Sequence, residues 1–328
     1  MTAAARNIDR NRHAQTPHPG TVSLSIRVLE PLLTYITARV HESSAFLRDH
    51  GVDPMLLGDP EARLPQAVAT RLWQAAGQLT QDSNLGIHVA EGIPPGAFGA
   101  LGYALRASET MGMALRRLCR YHRYLHDVAE VKLTVQRDHA ILSHHLPIPG
   151  GPPRPVSEFV LAGWLVTSRQ ATGVNWSPVE VRFPHSAPAD ISECRRVFGC
   201  KLQFGCERSE LVFPRELLDA PLVKVDPTLQ AILEAQVVAL IEKLPKAEAT
   251  TDAVRRHLAG ELGKGQPTLE QIAPRLHMSP RTLHRRLEDE GSSFRQIFSE
   301  VRRDVAGTYG SRRPESTGHE QSQDRDGV

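Results

Sequence analysis

The chain has 328 residues, of which 40% are hydrophobic, 23% charged and 5% aromatic, the balance of an ordinary globular protein long enough for two domains. A formal net charge of +2 leaves whole-chain charge silent about nucleic acid, so any such signal must be local. The longest uncharged apolar run, Phe159 to Val166, falls far short of the roughly 18 residues a spanning helix needs, so the chain is not expected to cross a membrane and no membrane partner is expected.

Residues 1–21 have basic character but no apolar stretch of the kind a secretory signal requires, which predicts a disordered tail on a cytoplasmic protein. From Leu24 to Val40 the apolar residues recur at helical intervals, and Val68 to Leu79 continues the helical character. Gly-rich punctuation at Gly92 to Gly102 precedes another expected helix, Thr110 to His126, with Met113, Leu115, Leu118, Tyr121 and Leu125 on its apolar side. The period then changes. Val131, Leu133 and Val135 alternate with polar residues, and Ala140 to Leu146 forms a second short run, so a hairpin is expected before the prolines of 147–155.

Glu158 to Arg169 suits a buried helix, and Val179, Val181 and Phe183 alternate as a strand. A second strand pair follows, Leu202 to Phe204 and Leu211 to Phe213. Segregated helices with short strands predict an α+β domain over 22–245 rather than a regularly alternating parallel sheet. A stripe of Leu229, Ile232, Leu233, Val237, Leu240, Ile241 and Leu244 stops at Pro245; it either packs on its own domain or forms a homodimer seam. The small, polar segment from Lys246 marks the domain boundary. Four cysteines, Cys119, Cys194, Cys200 and Cys206, are too few to staple this chain and are expected to be reduced.

The chemistry concentrates after Thr268. Thr268 and Gln271 have capping-box spacing, so a helix starts there with Leu269, Ile272 and Leu276 inside, and it should end near His277 and Met278. Ser279 is an N-cap candidate, Pro280 suits the first helical position, and Leu283 and Leu287 share one face. The opposite face carries Arg281, His284, Arg285 and Glu288. Gly291 ends this helix, and Ser293 with Gln296 opens a third. Two helices joined by a tight turn, the second with a cationic outer face, form an all-α helix-turn-helix pattern over 246–306. Arginine can make bidentate bonds to guanine, and a helix start can hold phosphate. Between Lys264 and Ala306 eight Lys and Arg stand against six Asp and Glu, so the basic excess is small.

The run LHMSPRTLHRRLEDEGSSFRQIFSEVRRDVA closely resembles the first helix-turn-helix of AraC/XylS-type transcriptional regulators, in which an SxRTLxRRL core, a glycine, a phenylalanine and a VRxxxA tail recur in that order. Upstream, DSNLGIHVAEGIPPGAFGALGYALRASETMGMALRRLCRYHRYLHD, VEVRFPHSAPAD, FGCKLQFGCERSELVF and PLVKVDPTL resemble the effector domain of arabinose-operon-regulator type found in the same family. The resemblance implies an effector-binding, often dimerising domain at 22–245, an unknown small-molecule effector and promoter DNA as partner. Its DNA-contacting residues would be Ser279, Arg281, Thr282, His284 and Arg285, with Leu283 and Leu287 in the core. In this family the VRxxxA segment continues as a long helix into a second helix-turn-helix. Here it meets Gly307 and a polar, aperiodic segment, so 307–328 reads as a disordered tail outside the family pattern and the second reading head is expected to be missing. The change of composition resembles a shifted reading frame or a truncated allele; translating the other frames past codon 306 tests this.

Other signals are weaker. Pro274 removes a helical hydrogen bond and predicts a kink or an early helix end. His122 and His126 have the i, i+4 spacing of a metal pair, but no third ligand is fixed; a sensor built from Cys194, Cys200, Cys206 and His185 would need distant convergence. No metal, cofactor or enzyme is expected, since GELGKGQ lacks phosphate-loop spacing and no G-x-S-x-G or H-E-x-x-H occurs. Trp73, Tyr121, Tyr124 and Trp164 are read as core or as lining of an effector pocket. The alternative function is an effector-binding dimerisation module without specific DNA binding.

Overall fold

The computed structural model describes residues 22–39, 42–148, 151–244, 250–261, 267–276 and 278–310. They fall into two compact units: residues up to 244, with Met278 and Ser279 grouped with them, and the remaining residues from Thr250 onward. The expected boundary after Pro245 and the turn residue His277 lie outside the described residues.

The first unit opens with a strand, β1 (Ser23–Ser25), and a 3-10 turn, Ile26–Leu29, before helix α1 (Glu30–Arg39). The helix expected from Leu24 therefore starts later: Ser25 caps the 3-10 turn by accepting the Arg27 N–H, and β1 pairs antiparallel with β2 (Arg63–Pro65). Arg63 holds this pair in place. Its guanidinium donates to Asp127 Oδ1 at 2.7 Å, Ser23 Oγ at 2.9 Å and the Tyr124 carbonyl at 3.1 Å.

Helices α2 (Ser43–Asp49), α3 (Gln66–Thr80), α4 (Leu85–Glu91), α5 (Gly99–Arg106) and α6 (Met111–Tyr121) follow. Thr110 caps α6 through the Met113 N–H, as a threonine N-cap does. The chain then turns through a 3-10 segment, His122–Tyr124, so His126 is not on the same helix as His122.

Five strands form the main sheet in the order β3 (Glu130–Val135), β4 (His139–His145), β7 (Ser209–Pro214), β5 (Glu180–Arg182), β6 (Lys201–Gln203). All neighbours are antiparallel except β5 and β6. The β3–β4 hairpin forms as its alternation predicts. β6 and β7 do not pair with each other; β5 lies between them, because a crossover through helix α8 (Ser192–Phe198) returns the chain parallel to β5.

Helix α7 (Arg154–Thr172) packs along α4 at close range: a Cβ on Gly86 would sit 2.1 Å from the Pro155 carbonyl oxygen, so only glycine permits the approach. Helix α9 (Pro227–Lys243) buries Val237 against Leu101, Tyr121, Tyr124 and Leu125. Leu229 and Ile232 of the same helix are 44% and 62% exposed, so the apolar stripe is only partly used by its own unit.

The second unit consists of α10 (Thr250–Glu261), α11 (Leu269–Arg275), α12 (Pro280–Asp289) and α13 (Phe294–Gly310). Val254, Leu258, Ile272, Ala273, Leu276, Leu283, Leu287, Ile297 and Val301 are its buried apolar side chains among the described residues. Helix α10 begins inside the segment read as boundary, its Val254 and Leu258 spaced one turn apart. Helix α13 passes Gly307 and reaches Gly310, four residues beyond the expected end at 306; residues 311–328 are outside the described residues.

Candidate functional site

A cavity of about 210 Å3 lies within the first unit. Helix α3 contributes Gln66, Thr70 and Trp73, α6 contributes Leu115 and Leu118, and α7 contributes Phe159, Trp164 and Ser168. The Gly-rich segment forms another wall, where Phe98 takes a φ of +70°, an uncommon conformation for an aromatic residue. Gly102 is required there as well, since a Cβ would meet the Ala97 carbonyl at 1.8 Å. Of the four aromatic residues singled out in the sequence, Trp73 and Trp164 line the cavity, whereas Tyr121 and Tyr124 pack in the separate cluster around Val237.

Three histidines reach this cavity from different elements: His122 from the 3-10 turn, His126 just after it, and His144 from β4. Strand alternation places His144 on the face of Ala140 and Leu142, all three buried. His122 and His144 meet edge to face at 5.9 Å between ring centroids, and Trp164 stands edge-on to His144 at 6.2 Å.

Burial, reinforced by the repulsion a protonated ring would meet from a second protonated histidine and, at His126, from Arg63, pushes the pKa of all three histidines down to about 3. They are neutral at physiological pH. The His126 tautomer follows from its contacts: Nδ1 accepts the Val128 and Ala129 N–H groups at 3.2 and 3.3 Å, so Nε2 carries the proton and donates to Gln66 Oε1 at 2.7 Å. Both ring nitrogens of His122, and Nδ1 of His144, are shielded from solvent and have no hydrogen-bond partner among the described residues. A buried polar group without a partner costs about 1–3 kcal/mol, which a group that bonded these nitrogens would recover.

Among the described residues the grouping compact enough to hold a metal is His88, Glu91 and Glu193, not His122 with His126 or the Cys194, Cys200, Cys206 and His185 set. An arginine occupies that cluster. Arg196 donates to both oxygens of Glu91, at 2.8 and 2.6 Å, and to Glu193 at 2.8 Å, while His88 bridges Asp82 and Glu193. It is an ion-pair network tying α4 to α8.

In the second unit, α11 starts with the Thr268 N–H donating to Gln271 Oε1 at 3.1 Å. The helix runs through Pro274 and ends at Arg275, where the Leu276 N–H donates to the Ile272 and Ala273 carbonyls at 3.2 and 3.1 Å. Helix α12 carries Leu283 and Leu287 inward, at 0% and 1% exposure. Arg281 and His284 are exposed and Arg285 is half-buried on the other side. Thr282 differs from the sequence expectation: it is buried beside Leu283, which leaves it off the exposed face. Ser279 is half-buried, and His284 Nδ1 lies 3.4 Å from Glu288 one turn on. Gly291, at φ +70°, closes the helix with its own N–H on the Glu288 carbonyl and the Ser292 N–H on the Leu287 carbonyl, a Schellman end. Ser293 then accepts the Gln296 N–H at 3.3 Å, whereas the Gln296 amide turns forward to Glu300 rather than back to Ser293.

Residues 41–222 match the family model described as the arabinose-binding domain of AraC transcription regulators. The ornithine utilization regulator of Pseudomonas aeruginosa is 30% identical over 262 residues, 79% of this chain and 76% of that one. The HTH-type transcriptional regulator VirS of Mycobacterium tuberculosis is 25% identical over 268 residues, 80% of this chain and 78% of that one. Among solved structures, the transcriptional regulator CdpR from Pseudomonas aeruginosa aligns with a TM-score of 0.46 and 19% identity, covering 81% of this chain and 83% of that one.

Proposed function

We propose that this chain, which belongs to the AraC transcription regulators that carry an N-terminal arabinose-binding domain, is a cytoplasmic DNA-binding regulator whose cavity takes a small effector and whose α12 reads DNA. An effector acts only through different affinities for two states of the protein, so the cavity ligand must favour one state over the other. The observation that carries the reading is the two-sidedness of α12: Leu283 and Leu287 are buried while Arg281 and His284 are exposed, with Arg285 beside them. Arg281 and Arg285 would bond base edges or phosphates, and Ser279 at the helix start would hold a phosphate. Thr282, being buried, would support the helix rather than touch DNA. No catalytic function is assigned, in keeping with relatives that are transcriptional regulators.

The test is a titration of the full chain against DNA from upstream of its own gene, with random DNA as competitor at physiological salt. Selective binding lost in Arg285→Ala supports the reading. Binding no better than to random DNA favours the second reading, an effector-binding dimerisation module. That second reading draws on Leu229 and Ile232, whose exposure on α9 suits a seam with a second copy.

The name of the Pseudomonas relative raises ornithine as a candidate effector, and the family description raises a sugar. The chemistry of the cavity wall fits neither. No Asp or Glu is among the described residues that line it, so a diamino acid would find no carboxylate, and its largely apolar wall offers few partners to a polyhydroxylated ring.

A further inference from the structure

We infer that the cavity takes a small, largely apolar organic acid bearing one carboxylate and one neutral hydrogen-bonding group. The inference rests on the effector reading above and narrows it to a ligand class.

Three observations converge. The wall is dominated by apolar side chains, with Trp73, Phe159 and Trp164 offering flat surfaces, so most of the ligand must be apolar to repay its own desolvation. Arg106, at the end of α5, is the one permanently charged side chain among the described lining residues. It is half-buried and makes no ion pair among the described residues, so the cavity has a cation to offer and no anion. A carboxylate satisfies that guanidinium with charge-assisted hydrogen bonds, whereas an ammonium would bring like charge into a low-dielectric space.

The third observation is the histidine pair. His122 and His144 line the cavity, and both ring nitrogens of His122 and Nδ1 of His144 lack a hydrogen-bond partner among the described residues. A neutral imidazole offers one donor and one acceptor, so the pair matches a ligand hydroxyl, which can accept from one ring and donate to the other, or a carbonyl, which accepts from one. A purely hydrocarbon ligand would leave those nitrogens unpaired, and a sugar would leave most of its own hydroxyls unpaired against the apolar wall.

The experiment uses the full chain and three probes that share a phenol ring and differ in the charge of the side arm: 4-hydroxyphenylacetate, 4-hydroxyphenethyl alcohol and tyramine. Binding is read by calorimetry and by tryptophan fluorescence, to which Trp73 and Trp164 contribute. The acid is expected to bind about tenfold or more tightly than the alcohol, and the amine more weakly than both. Arg106→Gln should erase the advantage of the acid while leaving the alcohol unchanged, and Arg106→Lys should retain much of it. Equal or tighter binding of tyramine overturns the ligand class and leaves the effector reading standing. Binding of none of the three overturns both.

Discussion

The Glu290 carboxylate accepts the backbone N–H of Thr250 at 2.7 Å, so the end of α12 caps the start of α10 across forty residues of chain. The second oxygen takes the Thr251 N–H at 2.9 Å. A carboxylate at a helix N-terminus satisfies orphan donors and complements the helix dipole. Glu290→Ala is therefore expected to destabilise the second unit by about 1 kcal/mol, with faster amide hydrogen exchange in α10 as the readout. Burial acts to raise the Glu290 pKa, but the bonds from Thr250 and Thr251 outweigh it and hold the carboxyl below its usual range. Its contribution is thus present above the ordinary glutamate pKa and is lost as pH falls through the depressed value. Unchanged exchange in the variant would mean that the cap contributes nothing in solution.

The three cavity histidines predict a second pH dependence, in the first unit. Their folded pKa of about 3 lies below the ordinary histidine value, so the unfolded chain binds more protons between the two. Stability should be complete above about pH 6.5 and fall as the medium is acidified, by roughly 1–2 kcal/mol per histidine by pH 5. Urea unfolding at pH 7.5 and pH 5 checks this, and His144→Phe should flatten the slope. A stability independent of pH in that range would show that the rings are solvated.

Gly86 and Pro155 predict a packing defect. The added methyl of Gly86→Ala would overlap the Pro155 carbonyl oxygen and push α4 from α7. A loss of about 1–3 kcal/mol is expected from such overpacking, measured by urea unfolding. Gly77→Ala is the control, because its added methyl would meet only Leu85 Cδ2 at 4.0 Å.

On α12, Arg281→Ala is expected to weaken binding to a specific DNA site by about 1–3 kcal/mol without changing the helical circular dichroism. Leu283→Asp should instead unfold the second unit, because it places a charge at a fully buried position. Equal DNA affinity in Arg281→Ala and the unmodified chain would remove Arg281 from the interface.

Helix α9 predicts self-association. Ile232 is 62% exposed, so Ile232→Asp should leave folding intact and shift any dimer to monomer in analytical ultracentrifugation. A monomeric unmodified chain at the same concentration would exclude the seam.

Much of this was legible in the residues. Period-two alternation placed the β3–β4 hairpin, and Leu283 and Leu287 marked the inner face of α12 because burial of two leucines one turn apart leaves little choice of orientation. The Schellman end at Gly291 was equally local, since glycine enters the left-handed region at no steric cost. His144 could have been found too: it stands four residues after Ala140 in an alternating strand and must share its face.

Other features were not local and so were not written in any short window. The separation of β6 from β7 depends on the crossover through α8, and the burial of Thr282 depends on what packs over the start of α12. By itself the sequence determined the two kinds of structure, the inner and outer faces of α12 and the family. Only the tertiary structure decided that His122, His126 and His144 share one cavity and that Arg106 is the one fixed charge among its described lining residues. The reason is physical: periodicity records which way a side chain points from its own element, while a cavity is made by elements far apart in the chain, and its chemistry exists only once they have packed.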